Sequence, residues 1–327
     1  MELIVNRNAQ RMIHNNVELN QKSSSSFIEA NTEKVTLKHL KEKCIIPVFS
    51  KDNESTISHY EFINKALEVT QNLFNGFQID NPEIRVSHVV KGRVPSAIGK
   101  PAKELEEHEK TIYYERCAFL IEIPSVVQKI NGNELNLCIG GVRAYNQENL
   151  YSKKSLEKFK VFIGFQNRVC TNLCISTDGF SNEIRIGSIL DLELQMEQLF
   201  SGYNREKHLG LMEKMGRFKL SEKQFAHMIG KFRMYQHLSK SEQKQVFPIA
   251  LNDGQINSLV KDYYGCPNFR RLGEGSISLW NIYNMLTHAN KSSYIDNNFE
   301  RNVNTYELMN NLGNSLQSGM PNWYLPN

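Results

Sequence analysis

The feature that most limits what this chain can fold into is a change of hydrophobic period near residue 188. Over residues 84–175, β-branched and aromatic side chains alternate with polar ones in "IRVSHVV", "YYERCAFLIEI", "ELNLCI" and "KVFIGF". That period of two belongs to strands with distinct faces. Asn131 and Gly132, between "VVQKI" and "NELNLCI", supply the positive φ that a tight hairpin turn demands, so the strands are expected to pair antiparallel. Beyond residue 188 the spacing becomes helical. Ile189, Leu192, Met196, Leu199 and Tyr203 form one stripe, Phe225, Met228, Ile229 and Phe232 another, and Ser221 with Gln224 fits a capping box.

Strands followed by helices define an α+β fold: an antiparallel sheet in the N-terminal half, packed on one face by helices mainly from the C-terminal half. Two helices precede the strands. "SHYEFINKALEVTQNLFNG" can be capped by Ser58 and stopped at Gly76, and "TLKHLKEK" leads into the strand-like "CIIPVF". The chain of 327 residues suits one large domain, 35–187 sheet-rich and 188–327 helical. Residues 1–34, rich in Asn, Gln and Ser, are expected to form a flexible arm.

Six cysteines scattered through apolar strings read as reduced thiols in a cytoplasm. No run approaches the roughly 20 apolar residues of a membrane span, and the start lacks a secretory pattern. Cys170 and Cys174 in "RVCTNLC" sit four apart. Without further ligand-spaced residues they are expected to pack rather than to hold zinc, with Asn167 and Asn172 bonding backbone where a strand becomes a turn. No metal and no cofactor is expected.

The net charge of +4 implies nucleic acid only where charge is clustered. "IRVSHVVKGRVPSAIGKPAK" contains Lys91, Arg93 and Lys100 and no acid; it is either an ordinary solvated loop or a sequence-independent phosphate contact. It is no nucleotide loop, since Pro101 occupies the Ser/Thr position that would ligate magnesium. Lys223, His227 and Lys231 recur every four residues opposite an apolar stripe, either a solvated helix face or a second phosphate contact sharing one surface with the loop. In "THANKSSYID", Lys291 beside Ser292 invites a nucleophile reading, but Ser292 or Ser293 capping the last helix is simpler, and His288 has no carboxylate placed beside it. Tyr113, Tyr114, Phe119, Phe162 and Phe165 lie in the strands, where those on an open sheet face could stack bases.

The strings "KTIYYERCAFLIEIP", "CIGGVRAYNQENLY", "FKVFIGFQNRVCTNLCISTDG" and "LWNIYNMLTHANKSSYID" resemble those of a domain-of-unknown-function family carried on bacterial plasmids and conjugative elements. Around "VCTNL" the chain is similar, over a handful of residues, to the broader phage/plasmid-like protein family. The resemblance implies a mobile-element setting and no particular activity. With the basic features, it makes a non-enzymatic nucleic-acid-associated protein the expected function, single-stranded DNA being the first ligand to test. Two alternatives stand beside it: a protein-binding counter-defence or regulatory factor, and a DNA-processing enzyme whose site is assembled from distant residues.

Overall fold

The computed structural model describes residues 26–44, 56–97, 99–148 and 156–326. In chain order the elements are β1 (Glu33–Val35), α1 (Leu37–Lys43), α2 (His59–Leu73), β2 (Glu83–Val86), β3 (Val89–Arg93), β4 (Lys110–Tyr114), β5 (Arg116–Ile130), β6 (Asn133–Ala144), β7 (Glu157–Asn167), β8 (Leu173–Cys174) and β9 (Phe180–Ile186). Then follow α3 (Ile189–Gly202), α4 (Arg205–Met215), β10 (Lys219–Leu220), α5 (Glu222–Tyr235), α6 (Lys240–Gln243), α7 (Asp253–Gly265), β11 (Ile277–Ser278), α8 (Leu279–Asn290) and α9 (Asn298–Ser318). The fold is α+β, as the change of period implies.

The main sheet runs β1-β2-β5-β6-β7, with β8 and β9 both pairing with β7, and every one of these ladders is antiparallel. Asn131 and Gly132 take φ of 49° and 84° at the β5–β6 turn, so the hairpin forms where the two residues best able to adopt that conformation occur. Pro124 lies in β5 where the register breaks between Ile123 and Val127; a residue without an N–H fits a bulge because no ladder bond is lost there. Ser58 and Ser221 cap α2 and α5 in reciprocal boxes with Glu61 and Gln224.

Alternation along the central strands creates two cores. Phe119, Ile121, Ile139, Phe159 and Ile163 face α2, α3 and the C-terminal helices, with Phe62 edge-on to Phe119 and Phe159. Ala118, Leu120, Cys138, Val142 and Phe162 face the other way, under Phe27 and Ile28 and the start of α9. The sheet is therefore covered on both faces here, not on one as the sequence suggested. Residues 26–34, counted with the arm on composition, are tied to the body. The Glu29 and Ala30 amides donate to Lys291 O, Ser26 Oγ donates to Glu83, and β1 pairs with β2. Residues 1–25 lie outside the described residues, as does most of "CIIPVF".

Gly140 and Gly141 let aromatic rings reach β6 from both sides. A Cβ on Gly140 would stand 2.4 Å from Phe162 Cε1 and 2.7 Å from Phe119 O, and one on Gly141 would stand 2.5 Å from Phe62 Cζ. Gly140→Ala is expected to destabilise the protein by about 1–3 kcal/mol, measured as a lower urea midpoint at unchanged m; an unchanged midpoint would mean that the Phe162 ring and the Phe119 carbonyl both give way at no cost.

Candidate nucleic-acid interface

The two basic features of the sequence fold at opposite ends of β5. The stretch 89–114 prolongs the β2–β5 ribbon beyond Ser87 as the β3–β4 pair, next to Arg116 at the start of β5. The helical layer meets the other end. Asn131 Nδ2 donates to Met212 O of α4 at 2.8 Å, and Trp280 Nε1 of α8 donates to Asn133 Oδ1 at 2.7 Å. From there β10 and Ser221 lead directly into α5. At about 3.3 Å per residue, β5 separates the ends by roughly 45 Å. Lys91, Arg93 and Lys100 thus project from one end of β5, and α5, which carries Lys223, His227 and Lys231, begins beside the other.

The loop also loses its charge asymmetry on folding. Lys100 pairs with Glu109, Lys110 with Glu107 at 2.5 Å, and Arg93 donates to Lys100 O. Residues 89–114 contain five Lys and Arg against four Glu. Because "ELEEHE" follows the loop directly, the acid-free window was an effect of where the window ended.

Around α5 the balance is different. Residues 205–244 contain ten Lys and Arg against four Glu, a surplus of six in a chain whose net charge is +4, so the remainder is slightly acidic. Phe225, Met228 and Phe232 bury the inner side of α5, and Lys223 and Arg233 are exposed on its outer side. Among the described residues no carboxylate forms an ion pair with Lys223, Lys231 or Arg233. The Lys231 ammonium stands 4.6 Å from the centroid of half-buried Trp323, a cation–π contact that leaves the charge in place. His227 is half-buried, with Nε2 buried and without a partner among the described residues, so it is the weakest member of the stripe.

Beside the first turn of α5 lies an aromatic corner that the sequence reading missed. Glu222 accepts from Tyr264 Oη at 3.0 Å and from Arg271 at 3.3 Å, and the Arg271 guanidinium lies 5.0 Å from the Tyr264 ring centroid and 5.7 Å from that of Tyr263. Lys261 and Arg270 are exposed nearby in sequence. The clustering of "YY" and "RR" in "DYYGCPNFRRLGEG" was the available signal.

The other sequence candidates are absorbed by packing. On the central sheet Phe119, Phe162 and Phe165 are buried and offer no open stacking face, and on the β3–β4 ribbon Tyr114 is buried and Tyr113 half-buried. Cys170 lies in a turn and Cys174 on β8; Asn167 Oδ1 accepts from Val169 N, and Asn172 Nδ2 donates to Asn284 O. All six cysteines are thiols, and among the described residues no three His, Cys, Asp or Glu group to hold a metal. Burial pushes the Cys170 thiol up to about 11. Lys291 is buried, donating to Cys170 O and Thr171 Oγ1, with Glu29 3.7 Å away; desolvation lowers its pKa. Ser292 and Ser293 do not cap the last helix. They accept from Gln255 Nε2, and α9 starts after Asn297. His288 is exposed. No helix among the described residues is long and apolar enough to cross a membrane.

Residues 8–325 match the family described as a domain of unknown function, B. Theta Gene description (DUF3871), and the chain belongs to that family. No curated protein and no solved structure matches.

Proposed function

We propose that this family member is a non-enzymatic nucleic-acid-associated protein of a mobile element that binds single-stranded DNA in the cytoplasm, with α5 as the phosphate contact. The observation that carries the reading is the surplus of six positive charges over residues 205–244, with no carboxylate among the described residues paired to Lys223, Lys231 or Arg233. A phosphate strand is held by uncompensated cations with little demand on shape, and α5 offers a row of them on a firmly packed helix. The mobile-element setting rests on the resemblance of the quoted strings, and the cytoplasm on six cysteines that remain thiols. A binding role rather than catalysis is supported by the tying of His59, His208 and Lys291 into the interior.

The reading assigns the contact to α5 and not to the β3–β4 loop, which two variants separate. Lys223→Glu/Lys231→Glu/Arg233→Glu is expected to lower the slope of log affinity against log salt by about two units, from three phosphates at ~0.7 each, equally for all sequences. Lys91→Glu/Arg93→Glu/Lys100→Glu is expected to change it less. The reverse ranking would move the contact to the loop, and unchanged binding in both folded variants would remove both features from it.

A further inference from the structure

We propose that Tyr264 stacks against an unpaired nucleobase at this surface and so makes it selective for single strands; the inference rests on the phosphate-binding reading of α5. Tyr264 is 54% exposed, yet its ring is fixed from several directions. Its hydroxyl donates to Glu222 at 3.0 Å, it makes a T-shaped pair with the Tyr263 ring at 89° and 4.8 Å, and the Arg271 guanidinium stands 5.0 Å from its centroid. Tyr263 is itself stacked on Phe225 of α5 at 4.3 Å and 11°, so the ring is referenced to the core. An aromatic side chain held this way loses little freedom on binding, because its rotamer is already chosen.

The charges around it are arranged to suit a strand. Glu222 is the carboxylate bound into the corner, and Arg271 and the Tyr264 hydroxyl occupy its two oxygens. Lys223 is adjacent to Glu222 on α5, and Lys261 precedes Tyr264 by three residues on α7, the spacing that puts two side chains on one helix side. Both are exposed. A base on the Tyr264 ring therefore has an exposed cation on each of the two helices that build the corner. A duplex keeps its bases stacked on one another and cannot offer a face to the ring, whereas a single strand can.

The test uses the full chain with two fluorescein-labelled strands of equal length, oligothymidylate and an abasic strand, at low salt. Tyr264→Ala is expected to weaken oligothymidylate binding by about 5- to 100-fold and to leave abasic-strand binding unchanged, and Tyr264→Phe, which keeps the ring and loses the hydroxyl bond to Glu222, is expected to retain most of the affinity. Equal weakening of both strands, or no weakening of either, overturns the stacking assignment while leaving the phosphate contact standing. Failure of the wild-type protein to bind either strand overturns the nucleic-acid reading, and this inference with it.

Discussion

Between pH 7 and pH 4.5 the protein is expected to lose roughly 5 kcal/mol of stability through two buried histidines. His59 donates from Nε2 to Tyr114 O at 2.8 Å, its Nδ1 is buried with no partner among the described residues, and its ring stacks on Tyr145 at 4.4 Å. Burial and the nearby Arg143 charge lower its pKa to about 3, against the raising effect of the Tyr114 carbonyl. His208 meets Tyr203 Oη through Nδ1 at 2.7 Å, while Nε2 is buried with no partner among the described residues, amid the rings of Phe165, Tyr203 and Tyr306. Burial lowers its pKa to about 3 as well, with Asp178 pulling weakly the other way.

Both imidazoles are neutral in the folded chain, because a second N–H on either would meet no acceptor. Below pH 6.5 the unfolded chain takes up a proton at each histidine that the folded chain refuses. Their contribution is thus complete above pH 6.5 and is lost as the pH falls toward 3, at about 1.4 kcal/mol per unit for each. Urea midpoints at pH 7 and pH 4.5 measure this. A His208→Gln variant with the same pH dependence as the wild type would show that His208 titrates normally and contradict the assignment.

Arg143→Met is expected to cost about 3–5 kcal/mol. Arg143 is 0% exposed and donates through Nη1 to Ile57 O, through Nη2 to Glu157 and Glu148, and through Nε to Glu148 at 3.2 Å. Its guanidinium lies between the rings of Tyr145 and Phe159, at 4.7 and 4.5 Å. Glu157 also accepts from Ile57 N, and Glu148 from Lys158 N. Removing the cation strands two carboxylates in the interior. Burial already raises the Glu148 pKa with the cation present, so the penalty should shrink as the pH falls and the carboxylates take up protons. Adding Glu148→Gln and Glu157→Gln to Arg143→Met should recover part of the loss at pH 7. Equal stability of Arg143→Met and the wild type at pH 7 would mean that the cluster is hydrated or rearranges freely.

What was legible in the sequence was whatever local chemistry determines. The Asn131–Gly132 turn, the Ser58 and Ser221 caps and the strand alternation that separates Phe119 from Leu120 are each decided within a few residues. The covering of the second sheet face by Phe27, Ile28 and Phe299 was not legible, because it joins segments some 270 residues apart and a composition of Asn and Ser hides two apolar anchors. Arg143 looked like any strand arginine; its burial depends on Glu148 and Glu157 folding back over it. The basic loop misled for the opposite reason. Lys100 reads as uncompensated until the chain turns and brings Glu109 back. Tyr264 acquires its setting from Glu222 and Arg271, which no local spacing connects.

The central claim is that α5 holds a nucleic-acid strand by charge. Titration of the wild-type protein with single-stranded, duplex and RNA oligonucleotides of one length, at about 50 and about 200 mM salt, tests it most directly. The account predicts measurable binding to the DNA single strand at the lower salt, weaker binding to the duplex, and a log–log slope of about −2 or steeper for the single strand, from three cations at ~0.7 each. Absence of binding at the lower salt, or an affinity indifferent to salt, would contradict it.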